Sequence, residues 1–345
     1  MIIPPPMLRL LTLLAFAIPS LAAAVVPRDR YVVAFYNVEN LFDTINDPHT
    51  ADEDMLPLSD RRWNTAKYRA KLSGLARVVA DMSEAEGFPA VIGIAEAETR
   101  AVLEDLAAEP SLAAAGYAVC HYDSPDDRGM DVGFLYRPDL FEAEGSRAYR
   151  ATDDDDIRTR DHVALWGRLG GERFFFMVVH WPSRRGGVRF TAPLREACAR
   201  RVRAIVDSVR RADGGVKIVV MGDMNDNPSD RSVAEVLGAA GSERRLCDGS
   251  LYNPFAAVRR SGRGTTVYDR RWNLYDNIVV SDNLVRCDDG ALRLLRVDGS
   301  ARKGAVFRRD YMTVRRRGPR PTFRGAEYVG GCSDHLPIYI VLGRE

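Results

Sequence analysis

The chain has 345 residues, of which 46% are hydrophobic, 9% aromatic and 28% charged. That composition belongs to a globular protein and excludes a disordered, collagenous or small disulfide-stapled one. Basic and acidic side chains number 49 and 48, so the formal charge of +1 points to no partner, and at roughly 150 residues per domain the length admits two domains or one large sandwich or barrel. In chain order, the N-terminus comes first and reads as an export signal. Arg9 precedes a run from Leu10 to Ile18 that is apolar but for Thr12, and Pro19-Ser20-Leu21-Ala22-Ala23-Ala24 supplies small residues for cleavage. The run is shorter than the ~20 apolar residues that span a bilayer, and no Cys lies near residues 20–26 to carry a lipid. The expectation is a signal peptide over 1–24, a single domain over 25–345, and an exported protein, periplasmic or secreted, with no stable membrane anchor.

Strand-like runs follow at Tyr31–Asn37, Ala90–Glu96, Tyr117–Tyr122, Val132–Tyr136, Phe174–Trp181, Lys217–Asn225, Leu274–Ser281 and Leu336–Leu342. Some are apolar at every position, as in Ile218-Val219-Val220-Met221, which marks strands covered on both faces. Helical stripes lie between them: Leu72, Leu75, Val79 and Met82, then Leu194, Cys198, Val202, Ile205, Val206 and Val209. A further helix-like run starts at Thr99. With no Pro/Ser-rich linker and no repeat, one α/β domain is expected.

Five cysteines (Cys120, Cys198, Cys247, Cys287, Cys332) are present and none forms a C-x-x-C pair, which disfavours a zinc ribbon or a redox motif. Cys120 and Cys198 sit in strand and helix patterns and read as core. Asp153–Asp156 reads as a solvated acidic loop. Residues 301–324 hold nine basic side chains against Asp310 alone, and Arg259, Arg260, Arg263, Arg270 and Arg271 precede a strand. Such runs are either a solvated face or a phosphate-tracking surface.

Polar residues gather where the buried strands end, the position at which a rigid strand opens into a substrate-facing loop. The endings are Tyr36-Asn37-Val38-Glu39-Asn40, Ile94-Ala95-Glu96, Val179-His180-Trp181-Pro182 and Gly222-Asp223-Met224-Asn225-Asp226. Cys332-Ser333-Asp334-His335 precedes the final strand. Each has a plain structural reading: Asn37 a turn former, His180 a core histidine, Asp223-Met224-Asn225 an Asx-turn, Asp334 a cap. Together an Asn, a Glu, two Asp and two His make a hard-oxygen site with acid–base partners. Such a site suits Mg²⁺, Mn²⁺ or Ca²⁺ and not zinc.

The order Tyr36-Asn37-Val38-Glu39-Asn40-Leu41, Ala95-Glu96-Ala97-Glu98, His180-Trp181-Pro182, Gly222-Asp223-Met224-Asn225, Tyr275-Asp276-Asn277 and Ser333-Asp334-His335 resembles the endonuclease/exonuclease/phosphatase superfamily. These are the pancreatic-DNase-like, metal-dependent phosphodiesterases. The stretches Ser124–Val132 and His180–Gly187 are closest to its exported bacterial members. The resemblance implies a four-layered α/β sandwich, two face-to-face mixed sheets flanked by helices. It implies a cation held by Glu96 with Asn37 and Asp334, Asp223 acting on the attacking water, and Asn225 on a phosphate oxygen. His180 would donate to the phosphate, and His335 would be tuned by Asp276; which histidine is acid or base stays open. Arg128, Arg184 and Arg185 are candidate phosphate contacts. The motif usually reads Gln-Glu where this chain has Ala95-Glu96, and Glu96 is preferred to Glu98 because it directly follows the buried strand. The cofactor expected is Mg²⁺, with Mn²⁺ or Ca²⁺ as alternatives. Among substrates, export argues against DNA repair, and the arginine-rich segments favour a polyanion, with a nuclease acting on DNA or RNA expected. Sphingomyelin or inositol phosphates are the alternative, although no exposed apolar loop stands out, and a binding module with a degenerate site is the alternative of another class. A monomer is expected, with no protein partner inferred.

Overall fold

The computed structural model describes residues 30–154, 156–297, 299–314 and 317–344. The expected signal peptide lies outside them, as do Asp155 of the acidic run and Arg315 and Arg316 of the basic segment. The first elements are β1 (Arg30–Leu41), α1 (Thr65–Glu86), β2 (Val91–Ala97), α2 (Arg100–Ala107), β3 (Ala118–His121) and β4 (Asp131–Tyr136). Next come β5 (Phe141–Tyr149), β6 (His162–Leu169), β7 (Glu172–His180), α3 (Val188–Ala212) and β8 (Lys217–Asp223). Shorter pieces follow: β9 (Ala239–Ala240), β10 (Leu251–Tyr252), α4 (Phe255–Arg260), β11 (Thr266–Tyr268), β12 (Arg271–Asn273) and β13 (Asp276–Ser281). The chain closes with β14 (Arg293–Leu294), β15 (Ala305–Val306), β16 (Thr313–Val314), β17 (Gly318–Pro319), β18 (Phe323–Arg324), β19 (Glu327–Tyr328) and β20 (Ile338–Gly343).

Two seven-stranded mixed sheets result. One is ordered β14–β20–β1–β2–β4–β3 with β15 also on β20, the other β5–β6–β7–β8–β13–β10–β9. Strand periodicity explains their burial. In β8, Val219 and Met221 point into the core between the sheets, while Ile218 and Val220 lie under α3 with Cys198, Val202 and Val206. In β1, Val33 and Phe35 face that same core, and Ala34 and Tyr36 face α1 through Leu72, Leu75 and Val79. A strand with a layer on each face has no polar side, hence its unbroken apolar run. The four-layered sandwich is therefore present.

Helix starts are chemically marked. Asn64 accepts from the Lys67 N–H at 3.1 Å and Thr99 from the Val102 N–H at 3.4 Å, each satisfying an orphan donor of the first turn. The sequence reading did not anticipate β5 and β6. β5 is an edge strand with mostly exposed or half-exposed residues and a bulge between Ala143 and Gly145, so it lacks a two-sided apolar pattern. All five thiols are unpaired, with Cys120 and Cys198 buried. Among the described residues no helix is long and apolar enough to cross a membrane.

Register sets up the functional end. β7 and β8 are parallel, with His180 opposite Asp223. β8 and β13 are antiparallel, with Asp223 opposite Asp276. His180, Asp223 and Asp276 thus form a row across three adjacent strands. Gly222 permits this approach, since a Cβ there would lie 2.1 Å from the Val179 carbonyl oxygen.

Candidate active site

Asp223 is the centre of the row. Its Oδ1 accepts from the Asn225 N–H at 2.9 Å, and its Oδ2 accepts from Asn37 Nδ2 at 3.2 Å. The same Oδ2 lies 3.7 Å from Nε2 of both His180 and His335. His335 Nδ1 meets Asp276 at 2.8 Å. The loop bearing His335 is pinned by Ser333, whose hydroxyl donates to the Asn37 carbonyl at 2.7 Å and accepts from the His335 N–H at 3.0 Å. Burial opposes charge on His335, but Asp276 and Asp223 outweigh it and raise its pKa well above the ordinary value. His180 goes the other way: burial, then Arg160 and Arg128, hold it well below. Its Nδ1 is buried without a hydrogen-bond partner among the described residues. Opposite shifts on neighbouring imidazoles separate a cationic from a neutral ring.

The other sheet contributes Asn37 and Glu96. β1 and β2 pair in register from Val33 to Asn37, then both slip before Leu41 and Ala97. The slip places Glu39, Asn40 and Glu96 in the left-handed region, with φ of 52°, 50° and 67°. Asn225, after β8, shares it at 50°. Such bulges re-aim side chains next to active sites, and the strain collects there. Glu96 leaves the ladder, accepts from the Asn40 N–H at 3.0 Å and from Asn37 Nδ2 at 3.0 Å, and lines the cleft. Glu98 instead accepts from the Asp43 N–H at 2.7 Å and does not line the cleft. Asn37 joins the cluster differently from expectation. Its Oδ1 accepts from the Glu39 N–H at 3.0 Å, and its amide nitrogen is turned to the Glu96 and Asp223 carboxylates.

The cleft measures about 450 Å³ and is lined by Glu96, His180, Asp223, Asn225, Asp334 and His335, with Arg128, Arg160, Arg184 and Arg185 on its wall. The four arginines differ. Arg184 Nη2 reaches Asp226 and Asp230, both at 2.5 Å, and its Nε donates to the Asn225 carbonyl at 2.7 Å. It therefore braces the 225–230 loop with Nε and Nη2 while still lining the cleft, where a phosphate contact was expected. Arg185 has no ion-pair partner among the described residues, and the side chain of Arg128 is 45% exposed at 3.9 Å from Asp126. Arg160 is a group the sequence reading missed. It is buried between Asp126 Oδ2 at 3.1 Å and the Trp181 carbonyl at 3.3 Å, and no motif spacing marks it. Asn225 spends one amide hydrogen on the Trp181 carbonyl at 2.9 Å. Lys71 was missed as well: it sits buried beneath the site, donating to Thr322 Oγ1 at 2.5 Å and the Cys332 carbonyl at 3.1 Å. A larger cavity of about 630 Å³ beside Met82, Trp272 and Phe307 contains one carboxylate, Asp81, and no histidine.

Residues 32–344 match the sequence profile of the Endonuclease/Exonuclease/phosphatase family. The chain belongs to that family. No curated protein sequence matches it. Solved structures share its fold: a humanized D. rerio TDP2 aligns at 15% identity and a TM-score of 0.55, covering 91% of this chain and 99% of that one. A Bacteroides thetaiotaomicron protein of the same family aligns at 16% identity and 0.55, covering 92% and 95%. The mannosyl-6-phosphatase of B. thetaiotaomicron aligns at 17% identity and 0.55, covering 90% and 99%. Members of the endonuclease/exonuclease/phosphatase family are metal-dependent phosphoester hydrolases, and this chain is one.

The residues present fit a hard divalent cation. Glu96 and Asp334 bring carboxylates to the cleft. Burial raises Asp223 to about 6, opposed by His335 and reinforced by Asp276, and burial followed by Asp334 raises Glu39 to about 7. Carboxyls crowded together in this way suit a bound cation.

Proposed function

We propose that this family member is an exported nuclease that hydrolyses phosphodiester bonds of DNA or RNA, with Mg²⁺ or Mn²⁺ as its cofactor. The observation that carries the reading is Asp223, whose one carboxylate oxygen lies equally near two imidazoles of opposite charge preference while its other oxygen is held by Asn225. Asp223 orients the attacking water and accepts its proton. The Asp276 carboxylate accepts from the His335 Nδ1–H, which orients the ring, and stabilises its charged form beside the phosphate. Neutral His180 and Asn225 donate to phosphate oxygens. Glu96, kept in place by Asn37, and Asp334 would hold the divalent cation, which when bound would supply charge neutralisation at the phosphate.

The wall supports a polyanionic substrate. Arg128 and Arg185 suit phosphates, and Tyr268, 41% exposed at the cleft, suits stacking against a base, while Tyr275 is buried beneath the Arg184 guanidinium. A structure of D. rerio TDP2 is described in complex with a single-strand DNA product, which agrees with a strand fitting this fold. One observation favours a second reading, a lipid phosphodiester: Val188 and Phe190, 43% and 84% exposed, follow Arg185-Gly186-Gly187 at the start of α3. They form the exposed apolar segment that the sequence alone did not disclose.

The test is hydrolysis by chelated and reloaded protein of plasmid DNA and RNA, with sphingomyelin, inositol phosphates and sugar phosphates in parallel. Nucleic acid should be cut best, with activity lost in EDTA and restored by Mg²⁺ or Mn²⁺. Faster turnover of sphingomyelin or a phosphomonoester would replace the nuclease reading, and full activity after exhaustive chelation would remove the cation from it.

A further inference from the structure

Away from the cleft, His121, Asp123 and Asp131 each place one ligand atom within 4.8 Å of the other two. His121 ends β3 and Asp131 opens β4, and these strands pair antiparallel with His121 opposite Gly133. The imidazole is 2% exposed, its Nε2 lies 3.5 Å from Asp131 Oδ2, and its Nδ1 lies 3.7 Å from Asp123 Oδ1. Nε2 is buried with no hydrogen-bond partner among the described residues. A buried polar atom left unpaired costs about 1–3 kcal/mol, so the fold gains from anything that occupies it.

We propose that His121, Asp123 and Asp131 form a second cation site, for Zn²⁺ or a transition metal of like preference. An imidazole with two carboxylates selects such ions over Mg²⁺, which takes oxygen alone. Ligands sharing a tetrahedral zinc with bonds of about 2.0–2.1 Å stand roughly 3.3–3.4 Å apart, and the separation of 3.5 Å between Nε2 and Asp131 is already close to that. Asp131 is oriented through its other oxygen, which accepts from the Ser124 N–H at 3.0 Å. The cation would sit on Nε2 with Asp131. Asp123, whose carboxylate rests at the Nδ1 edge, is 91% exposed, so joining requires it to swing to the Nε2 side, and its exposure leaves water a path to the fourth position. The cation nearest in effect, Arg100, is paired with Glu104 at 3.1 Å.

The site would clasp both ends of the 123–131 loop. That loop carries Arg128 to the cleft wall and Asp126 to Arg160, so a metal here would hold the wall without touching the reacting groups. The inference is independent of which phosphate ester the cleft accepts.

Zinc binding by the full-length, metal-stripped chain in millimolar Mg²⁺ tests it, read by titration calorimetry and by the visible spectrum of the Co²⁺ form. One zinc per chain is expected, with the intense absorption of a four-coordinate ion. His121→Asn should weaken it at least 100-fold, and Asp123→Asn about tenfold, the latter at an exposed residue whose change leaves folding intact. Glu96→Gln should bind zinc like the parent. The site is overturned if the parent takes up no zinc in Mg²⁺, if Asp123→Asn binds undiminished, or if Glu96→Gln abolishes uptake.

Discussion

Asp223 Oδ2 faces Asn37 Nδ2 and both imidazoles, so its replacement removes a charge that three side chains share. Asp223→Asn and His335→Ala should each lower kcat by at least ~10²-fold, the scale of losing an acid–base or electrostatic group, while circular dichroism stays that of the parent. Near-parental rates in both variants would move the chemistry elsewhere. The two neighbouring arginines separate structure from substrate contact. Arg184→Gln leaves Asp226 and Asp230 short of a donor and should cost about 1–3 kcal/mol of stability. Arg185→Gln should leave the melting temperature alone and raise KM for nucleic acid. Equal effects of the two on both readouts would contradict the division drawn between them.

Strand pairing turns these residues into a site, and two elements show how tightly. β7 and β8 approach closely only because position 222 is a glycine; the Cβ of Gly222→Ala would meet backbone at 2.1 Å. That variant should be destabilised by several kcal/mol, the usual cost of overpacking plus backbone displacement, with His180 and Asp223 forced apart. Normal stability with normal turnover would mean that the register tolerates sliding. On β6, His162 is fully buried, and burial, helped by Arg201, lowers it to about 3. The unfolded imidazole binds its proton near pH 6.5 while the folded one stays neutral. Stability is therefore complete above about pH 6.5 and is lost as pH falls toward 3. Between pH 6.5 and 5 the parent should lose about 2 kcal/mol more than His162→Leu, measured by urea unfolding; parallel pH profiles would show that this histidine titrates freely.

Over the whole molecule, the basic segment divides into side chains used by the fold and side chains left outside. Lys303 pairs with Glu243 at 3.2 Å, Arg309 lies over Phe307, and Arg320 donates to the Val329 carbonyl at 2.7 Å. Arg317 and Arg324 are exposed. If the surface tracks a polynucleotide, its affinity falls with salt by ~0.9 in log–log slope per phosphate contact on duplex DNA. The double variant Arg317→Gln with Arg324→Gln should flatten that slope by about 2 and raise KM on long DNA. Cleavage of a small chromogenic phosphodiester should be unchanged. An unaltered slope would reduce these side chains to a solvated face and weaken the nuclease reading.

The amino-acid sequence by itself determined the layers. Residues apolar at every position, as at Ile218–Met221, can be buried only with cover on both faces, so they announce a layered α/β domain before any contact is known, and the resemblance carried by the strand-end motifs narrowed it to a four-layered sandwich. It also marked the polar strand ends, because Asn37, Glu96, His180 and Asp223 interrupt otherwise apolar runs at the point where a loop begins, and Asp334 closes the loop before the last strand. Tertiary structure alone decided how those ends are used. A bulge carried by two paired strands turned Glu96 toward the cleft and left Glu98 on Asp43. The amide of Asn37 was turned by a backbone N–H two residues away. Two nitrogens of Arg184 were taken up by the 225–230 loop, and Arg160, which no spacing marks, was carried to the wall by Asp126. These outcomes depend on which charges and donors meet across distant segments. A local pattern records periodicity and burial, but the partner of a guanidinium or an amide is set only when the strands have paired.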